Sequence, residues 1–327
     1  MRIAFTTAGR LALALTATVL ALLPTIEAHA QAWPQRTVKF VLSLGPGSGA
    51  DIGARMLAER LTKRWGQPVV VENRPGADGV VAINAVLNAK DDHTLLFGPS
   101  SSFVGHPYQL ERPPYNPKSL LPIARFSTTL VAVAVPPTLN VATPKALFDL
   151  AKVQPGKLNW ATVTGVTDII VAGYLKRTGL DMQKVPYRDT VHALNDLTEG
   201  RIQLYIAALA IVRAQAQAGR VKLIAVTNRE RAPMAPDLPT VAEAGVPELS
   251  FDGLAGLFGS PAVPAALRER IAEDVKLAAS DPELVKRLEA TGQLVRPGGP
   301  SAFADAIKEQ TTRLAETAKV LGIKPKW

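Results

Sequence analysis

Apolar and polar positions follow one another along this 327-residue chain in blocks that predict strands and helices in turn. Residues 38–44 form an apolar run that predicts a buried strand, and a glycine-rich stretch at 45–50 follows it. From residue 51 to 65, apolar side chains recur near helical spacing, with Asp51 as the predicted N-cap. This order of strand, loop and helix is typical of an α/β fold.

The same order repeats to the end of the chain. Further strands are predicted at 68–72, 94–97, 130–135, 157–161, 184–185, 202–206 and 222–226. Further helices are predicted at 80–89, 144–153, 169–177, 191–199, 264–279, 282–291 and 300–321. We expect parallel sheets in two α/β lobes, one from residues 31–129 with 252–327 and one from 130–251. The chain would cross from one lobe to the other near 128–131 and 251–255. These two crossings would form a hinge, with a ligand cleft between the lobes.

The first thirty residues have the pattern of a secretory signal peptide. Arg2 and Arg10 flank the start of an uncharged apolar run at 11–23, and Ala28-His29-Ala30 forms a small-x-small cleavage site. The run is 13 residues long, shorter than the roughly 20 that span a bilayer. We therefore expect cleavage after Ala30 and a periplasmic protein. An uncleaved membrane anchor is the alternative.

Charge and reactive residues narrow the possible functions. The net charge is +9, but the basic residues are scattered with little aromatic interleaving, so nucleic acid is not an expected partner. The chain has no cysteine, no G-x-S-x-G elbow, no H-E-x-x-H and no Walker A pattern. We therefore expect a binding protein and not an enzyme, with no cofactor and no metal.

The glycine-rich stretch at 45–50 supports three interpretations. Gly45, Gly47 and Ala50 fit the G-x-G-x-x-A spacing of dinucleotide folds, and Glu72 follows at a suitable distance, which would suit an NAD(P)-dependent oxidoreductase. Alternatively, backbone N–H groups and the start of the following helix would hold a carboxylate without a charged side chain. A tight turn with no ligand is a third possibility. The predicted signal peptide favours the carboxylate interpretation, because dinucleotide cofactors are largely cytosolic.

Several longer motifs carry a family resemblance. These are Trp33-Pro34, "VVVENRPGADG", "KLNWA", "VPYR", "LTEGRIQL" and "PDLPTVAEAGVPELSFDGLAGLF". They occur in order along the whole mature chain, and together they resemble the receptors of tripartite tricarboxylate transporters, also called Bug proteins. The resemblance implies a type II periplasmic binding-protein fold and a receptor that delivers a small organic acid or acidic amino acid to membrane transporter subunits. We also expect a monomer. A sensing role beside a signalling receptor is the alternative that the resemblance leaves open.

The resemblance also implies a ligand site at matching positions. Its members would hold one carboxylate through backbone amides and bridging waters. They are Gly47, Ser48, Gly49, Ala50, Asp51, Ser100, Ser101, Ser102, Thr164, Gly165, Thr167 and Tyr187. Ser100, Ser101 and Ser102 belong to an expected polar loop at residues 98–107.

Two acidic residues depart from the family pattern. Asp168 stands where a small residue is commoner, and Asp189 stands where glycine usually follows the tyrosine and the basic residue. Ala207 stands where an aspartate is frequent. Asp168 or Asp189 would meet a distal hydroxyl or ammonium of the ligand, or both would cap the helices that follow their loops. The sequence leaves these two interpretations open.

Overall fold

The structure is a computed structural model that describes residues 33–112, 114–162, 165–187 and 190–326. The expected signal peptide and its cleavage after Ala30 lie outside these residues. Within the described ranges, no helix combines the length and the apolar character needed to cross a membrane.

Strands and helices alternate along most of the described chain. The strands are β1 (Val38–Leu42), β2 (Val69–Asn73), β3 (Thr94–Pro99), β4 (Leu121–Thr129), β5 (Val131–Val135), β6 (Asn159–Thr162), β7 (Gln183–Lys184), β8 (Leu204–Ala208), β9 (Lys222–Val226), β10 (Gly253–Gly259) and β11 (Gln293–Gly298). The helices are α1 (Gly49–Trp65), α2 (Val80–Ala89), α3 (Ser100–Gln109), α4 (Pro144–Val153), α5 (Gly165–Thr178), α6 (Thr190–Thr198), α7 (Leu209–Gln217), α8 (Ala265–Ala279), α9 (Pro282–Ala290) and α10 (Pro300–Leu321).

The strands form two separate mixed sheets. The larger has the order β11-β4-β10-β3-β1-β2, and the smaller has the order β7-β6-β8-β5-β9. Pairing is parallel for β1 with β2 and β3, and for β6 with β7 and β8. It is antiparallel for β10 with β3 and β4, for β11 with β4, and for β5 with β8 and β9. The expectation of purely parallel sheets is therefore wrong for the strands beside the crossings.

The uninterrupted apolar sequence of β5 follows from burial on both faces. Val131, Val133 and Val135 pack into one cluster, whereas Ala132 and Ala134 pack into another on the opposite face. Since successive side chains of a strand point to opposite faces, helices on both sides of a sheet require an apolar residue at every position.

Helix α5 is buried on two sides, which explains its lack of a polar stripe. Val166 and Ile169 belong to the core beside the larger sheet, whereas Val171 and Leu175 belong to the core of the smaller sheet. A Cβ on Gly173 would lie 2.2 Å from Thr317 Cγ2 of α10, so only glycine permits this close approach of the two helices. Helix α5 thus connects the two lobes by packing.

Five elements differ from the sequence prediction or were missed. Residues 98–107 do not form a polar loop, because α3 starts at Ser100 directly after β3. Three serines, a glycine and a proline are weak helix formers, and the helix depends on burial of side chains such as Phe103 and Val104. The prediction also missed β4, β10, β11 and α7. Helix α7 continues an apolar run from β8 without a break, so the boundary carries no local signal.

Candidate functional site

The strand registers place the carboxyl ends of β3, β4 and β8 beside the crossing between the lobes. In the larger sheet, β10 pairs with Pro99 at the end of β3 and with Thr129 at the end of β4. In the smaller sheet, Val131 at the start of β5 pairs with Ala208 at the end of β8. Because only Leu130 separates β4 from β5, the segments that follow β1, β3, β6 and β8 start at the sheet edges next to this crossing, where ligands of open α/β folds bind.

The loop after β1 is closed by a reciprocal pair of side chains. Ser48 is the N-cap of α1, and its Oγ accepts a hydrogen bond from the Asp51 N–H at 3.2 Å. Asp51 Oδ2 in turn accepts from the Gly47 N–H at 3.0 Å. The arrangement is related to a capping box. The prediction that Asp51 is the N-cap is therefore wrong, because Ser48 has this role, three residues before Asp51.

Asp51 is the buried centre of this loop, with 4% of its surface exposed. Its carboxylate also accepts from Asn73 Nδ2 at 2.8 Å and from Arg55 Nε at 3.1 Å. Burial by itself would raise the pKa of Asp51, but hydrogen bonds from Arg55, Gly47 and Asn73 hold the pKa below its ordinary value. The ionised carboxylate thus joins the loop to the end of β2.

Two backbone donors at the start of α1 stay available for a ligand. The N–H groups of Gly49 and Ala50 lie in the first helical turn, where no intrahelical acceptor exists. The Gly47 N–H, by contrast, is already used by Asp51. The positive end of the helix dipole adds to the attraction of an anion at this point.

The serines after β3 lie in the first turn of α3, and each has a different environment. Ser100 is fully buried and donates to Gln310 Oε1 at 2.8 Å. Ser102 donates to Asp78 Oδ1 at 3.4 Å. Within the described residues, the Ser101 hydroxyl has no protein acceptor and is partly exposed. Ser101 is therefore the serine whose side chain is best placed to meet a solute.

A buried histidine supports this region, which the sequence did not indicate. His106 is fully buried, with Nδ1 at 2.5 Å from the Tyr115 hydroxyl and Nε2 at 3.1 Å from the Asp78 carbonyl oxygen. Ala77 and Asp78 both have positive φ angles, 46° and 51°. Such angles are uncommon outside glycine, so the contact from His106 helps to hold a strained turn beside Ser102.

Helix α5 presents the second lobe to the cleft, and it starts at Gly165 and not at residue 169 as predicted. Thr167 is buried in its first turn. Asp168 accepts from Thr162 Oγ1 at 2.6 Å and from Lys184 Nζ at 2.7 Å. A ligand ammonium would have to share this carboxylate with Lys184. Thr164 lies outside the described residues.

Tyr187 is held by a neighbouring acid. Its hydroxyl donates to Asp196 Oδ2 at 2.5 Å, and Asp196 also pairs with Arg201. Burial, followed by the hydrogen bond to Asp196, raises the pKa of Tyr187 to about 12. The hydroxyl therefore stays protonated at physiological pH. Asp189 lies outside the described residues.

The two lobes are in contact at Gly165, which the sequence analysis named only as a residue of the ligand site. A Cβ on Gly165 would lie 1.9 Å from Gln109 Nε2 at the end of α3. A Cβ on Gly105, one turn earlier in α3, would lie 2.8 Å from Val166 Cγ2. Gln109 Nε2 is enclosed and has no hydrogen-bond acceptor among the described residues. Glycine at both positions allows α3 to approach the start of α5.

A cavity of about 360 Å³ lies elsewhere, between α5, α10 and the segment after β9. Its lining carries both charges in equal number: Arg125, Arg177, Arg229, Arg296 and Arg313, with Glu230, Glu248, Asp252, Glu309 and Glu316. Arg229 pairs with Glu309, and Arg296 pairs with Glu230. None of the described predicted site residues lines it. Because its charges are compensated, we favour the loops with unpaired donors as the ligand site.

Comparisons with known proteins agree with this architecture. The sequence profile of the tripartite tricarboxylate transporter family receptor matches residues 53–323. The chain is 31% identical to a UPF0065 protein from the tcbD-tcbE intergenic region of Pseudomonas sp. strain P51, over 86% of this chain and 85% of that protein.

Two solved structures share the fold. One is an R. palustris protein solved with adipate, with 26% identity and a TM-score of 0.77 over 90% of this chain and 99% of that one. The other is MatC from Rhodopseudomonas palustris with bound malate, with 25% identity and a TM-score of 0.72 over 87% of this chain and 99% of that one.

These matches confirm the two-lobe α/β fold of periplasmic binding proteins. They also exclude the NAD(P)-dependent oxidoreductase interpretation of the glycine-rich loop, since the matching family consists of receptors. The chain belongs to the tripartite tricarboxylate transporter receptor family.

Proposed function

We propose that this protein is a periplasmic receptor that binds a small organic acid in the cleft and delivers it to a tripartite tricarboxylate-type membrane transporter. The observation that carries the proposal is the pair of N–H groups of Gly49 and Ala50 at the start of the 17-residue helix α1. The Ser101 hydroxyl in the first turn of α3 adds a side-chain donor. The solved relatives with adipate and malate support an acid as the ligand.

Capture would follow from closure of the two lobes about the crossings. In this proposal, one lobe comprises residues 31–129 with 252–327, and the other comprises residues 130–251. Asn228 ties the crossings together, because its Oδ1 accepts from the Val131 N–H and its Nδ2 donates to the Thr129 carbonyl, both at 2.9 Å. The contact between Gln109 and Gly165 would belong to the closed form.

A thermal-shift screen with organic acids, amino acids and aromatic acids tests the ligand class. A true ligand at 100 times its Kd stabilises the folded state by about 2.7 kcal/mol. Malate and adipate belong in the panel, with their methyl esters as uncharged controls. A shift with neutral compounds and none with acids would refute a carboxylate site.

Asp168 and Asp189, the two acidic residues that depart from the family pattern, need a separate measurement. If Asp189 meets a distal donor of the ligand, Asp189→Asn should weaken binding of the best acid in a calorimetric titration. Unchanged affinity would remove Asp189 from the site. Asp168→Asn is less decisive, because it also breaks the ion pair with Lys184.

The transporter partnership and the oligomeric state call for different assays. We expect the mature protein to sediment as a monomer with and without ligand. Crosslinking in membranes that carry the transporter should capture its subunits, whereas capture of a sensor kinase alone would favour a sensing role.

A further inference from the structure

Gln293, the first residue of β11, lies at the edge of the larger sheet where the chain crosses between the lobes. Only 5% of its surface is exposed. Its Oε1 accepts hydrogen bonds from Ser127 Oγ and Thr129 Oγ1, both at 3.1 Å. Because both hydroxyls use the same oxygen, the amide orientation is set and Nε2 is directed away from them.

The Nε2 end of Gln293 faces the start of α1. A Cβ on Gly49 would lie 3.1 Å from Nε2 and 3.6 Å from Cγ of the same side chain. Within the described part of the chain, Nε2 donates to no protein group. Unlike Gln109 Nε2, this nitrogen is not fully enclosed, so a ligand acceptor can reach it, and amide groups of largely buried side chains usually have a partner.

We propose that Gln293 Nε2 donates to the same acid group as the N–H groups of Gly49 and Ala50. This inference rests on the proposed function and adds a residue that none of the loop motifs contains. One carboxylate offers about four lone-pair sites, enough for two backbone donors and an amide. The ligand end bound here is therefore a carboxylate that is recognised by neutral donors from two distant parts of the chain.

Gln293→Glu separates this role from a structural one. The substituted side chain keeps oxygens that accept from Ser127 and Thr129, but it replaces the Nε2 donor with a charged oxygen. Its negative charge lies near the start of α1, where the helix dipole favours an anion, so the fold should be retained. Gln154→Glu on the exposed end of α4 makes the same charge change far from the cleft.

The measurement is a calorimetric titration of mature wild-type protein and both variants with malate and adipate, and with the best acid of the screen. We expect Gln293→Glu to weaken binding by at least about tenfold, the effect of one lost hydrogen bond to a charged group, and Gln154→Glu to have no effect. If Gln293→Glu does not melt cooperatively, Gln293→Met removes the donor with a side chain of similar length, and the same loss is expected.

The possible results distinguish the two proposals. Equal affinity of wild type and the Gln293 variant would overturn the role of Gln293 and leave the receptor function intact. A wild-type protein that binds no acid at all would overturn both. A loss of affinity that is equally large for Gln154→Glu would show a general charge effect and would also overturn the role of Gln293.

Discussion

The substitution Asp51→Asn removes one charge from the buried centre of the loop after β1 and hardly changes its volume. The carboxylate accepts hydrogen bonds at 2.8–3.1 Å from Gly47, Asn73 and Arg55, with Oδ1 and Oδ2 both in use. An amide has only one oxygen, so its NH₂ group must face at least one of these donors. The variant therefore loses an acceptor as well as the charge.

The cost can be worked out from these contacts. A hydrogen bond to a charged group contributes about 1.5–3 kcal/mol, and a buried donor without an acceptor costs about 1–3 kcal/mol. We expect the free energy of unfolding to fall by about 2–4 kcal/mol near pH 7, equivalent to a decrease in Tm of roughly 3–6 °C for a chain of this size. Affinity for the acid should fall as well, because the Gly47 N–H and the start of α1 lose their anchor.

The pH dependence has a definite sign. Because the fold lowers the pKa of Asp51 below 3.8, the ionised form stabilises the protein above that value. This contribution is lost as the pH falls through the lowered pKa. The stability difference between wild type and Asp51→Asn should therefore narrow as the pH is decreased from about 7 toward about 2.

Calorimetric or fluorescence-detected melts across this pH range check the prediction. Asp149→Asn is the matched control, because Asp149 forms an exposed ion pair with Lys145 at 2.7 Å. Such pairs contribute about 0–1 kcal/mol. A stability gap for Asp51→Asn that stays constant over the pH range, or that equals the gap of the control, would refute the reasoning.

Three further predictions concern the contacts between the lobes. Gly165→Ala places a methyl group against Gln109 and should lower the free energy of unfolding by about 1–3 kcal/mol. Adding Gln109→Ala should restore most of the loss, and additive effects of the two substitutions in a double-mutant cycle would contradict the contact. Asn228→Ala removes the hydrogen bonds of this side chain to the Val131 N–H and the Thr129 carbonyl and should lower the free energy of unfolding by about 1–3 kcal/mol in denaturant titrations. No change would show that the hinge does not need this side chain. Small-angle scattering should show a smaller radius of gyration at saturating acid, and an unchanged radius would rule out closure of the lobes.

Elements with strong periodicity were predicted well from the sequence, and elements that depend on packing were not. Helix α4 lies at residues 144–153 and α10 at 300–321, as predicted, because proline at each start and a clear apolar stripe define them locally. Helix α3 was missed, because its serines, glycine and proline oppose a helix and only the surrounding core stabilises it. The antiparallel direction of β10 is also invisible locally, since direction depends on how the chain returns from the second lobe.

The sequence by itself determined the family, the two-lobe α/β class and the place of the first loop in the chain, because long motifs and the repeated order of strand and helix are local patterns. Only the tertiary structure decided which groups in that loop are free. It pairs the Gly47 N–H with Asp51, leaves the N–H groups of Gly49 and Ala50 at the helix end, and places Gln293 beside them from more than 200 positions further along the chain. Hydrogen bonding between distant segments is set by how the chain packs, and no local pattern of residues records it.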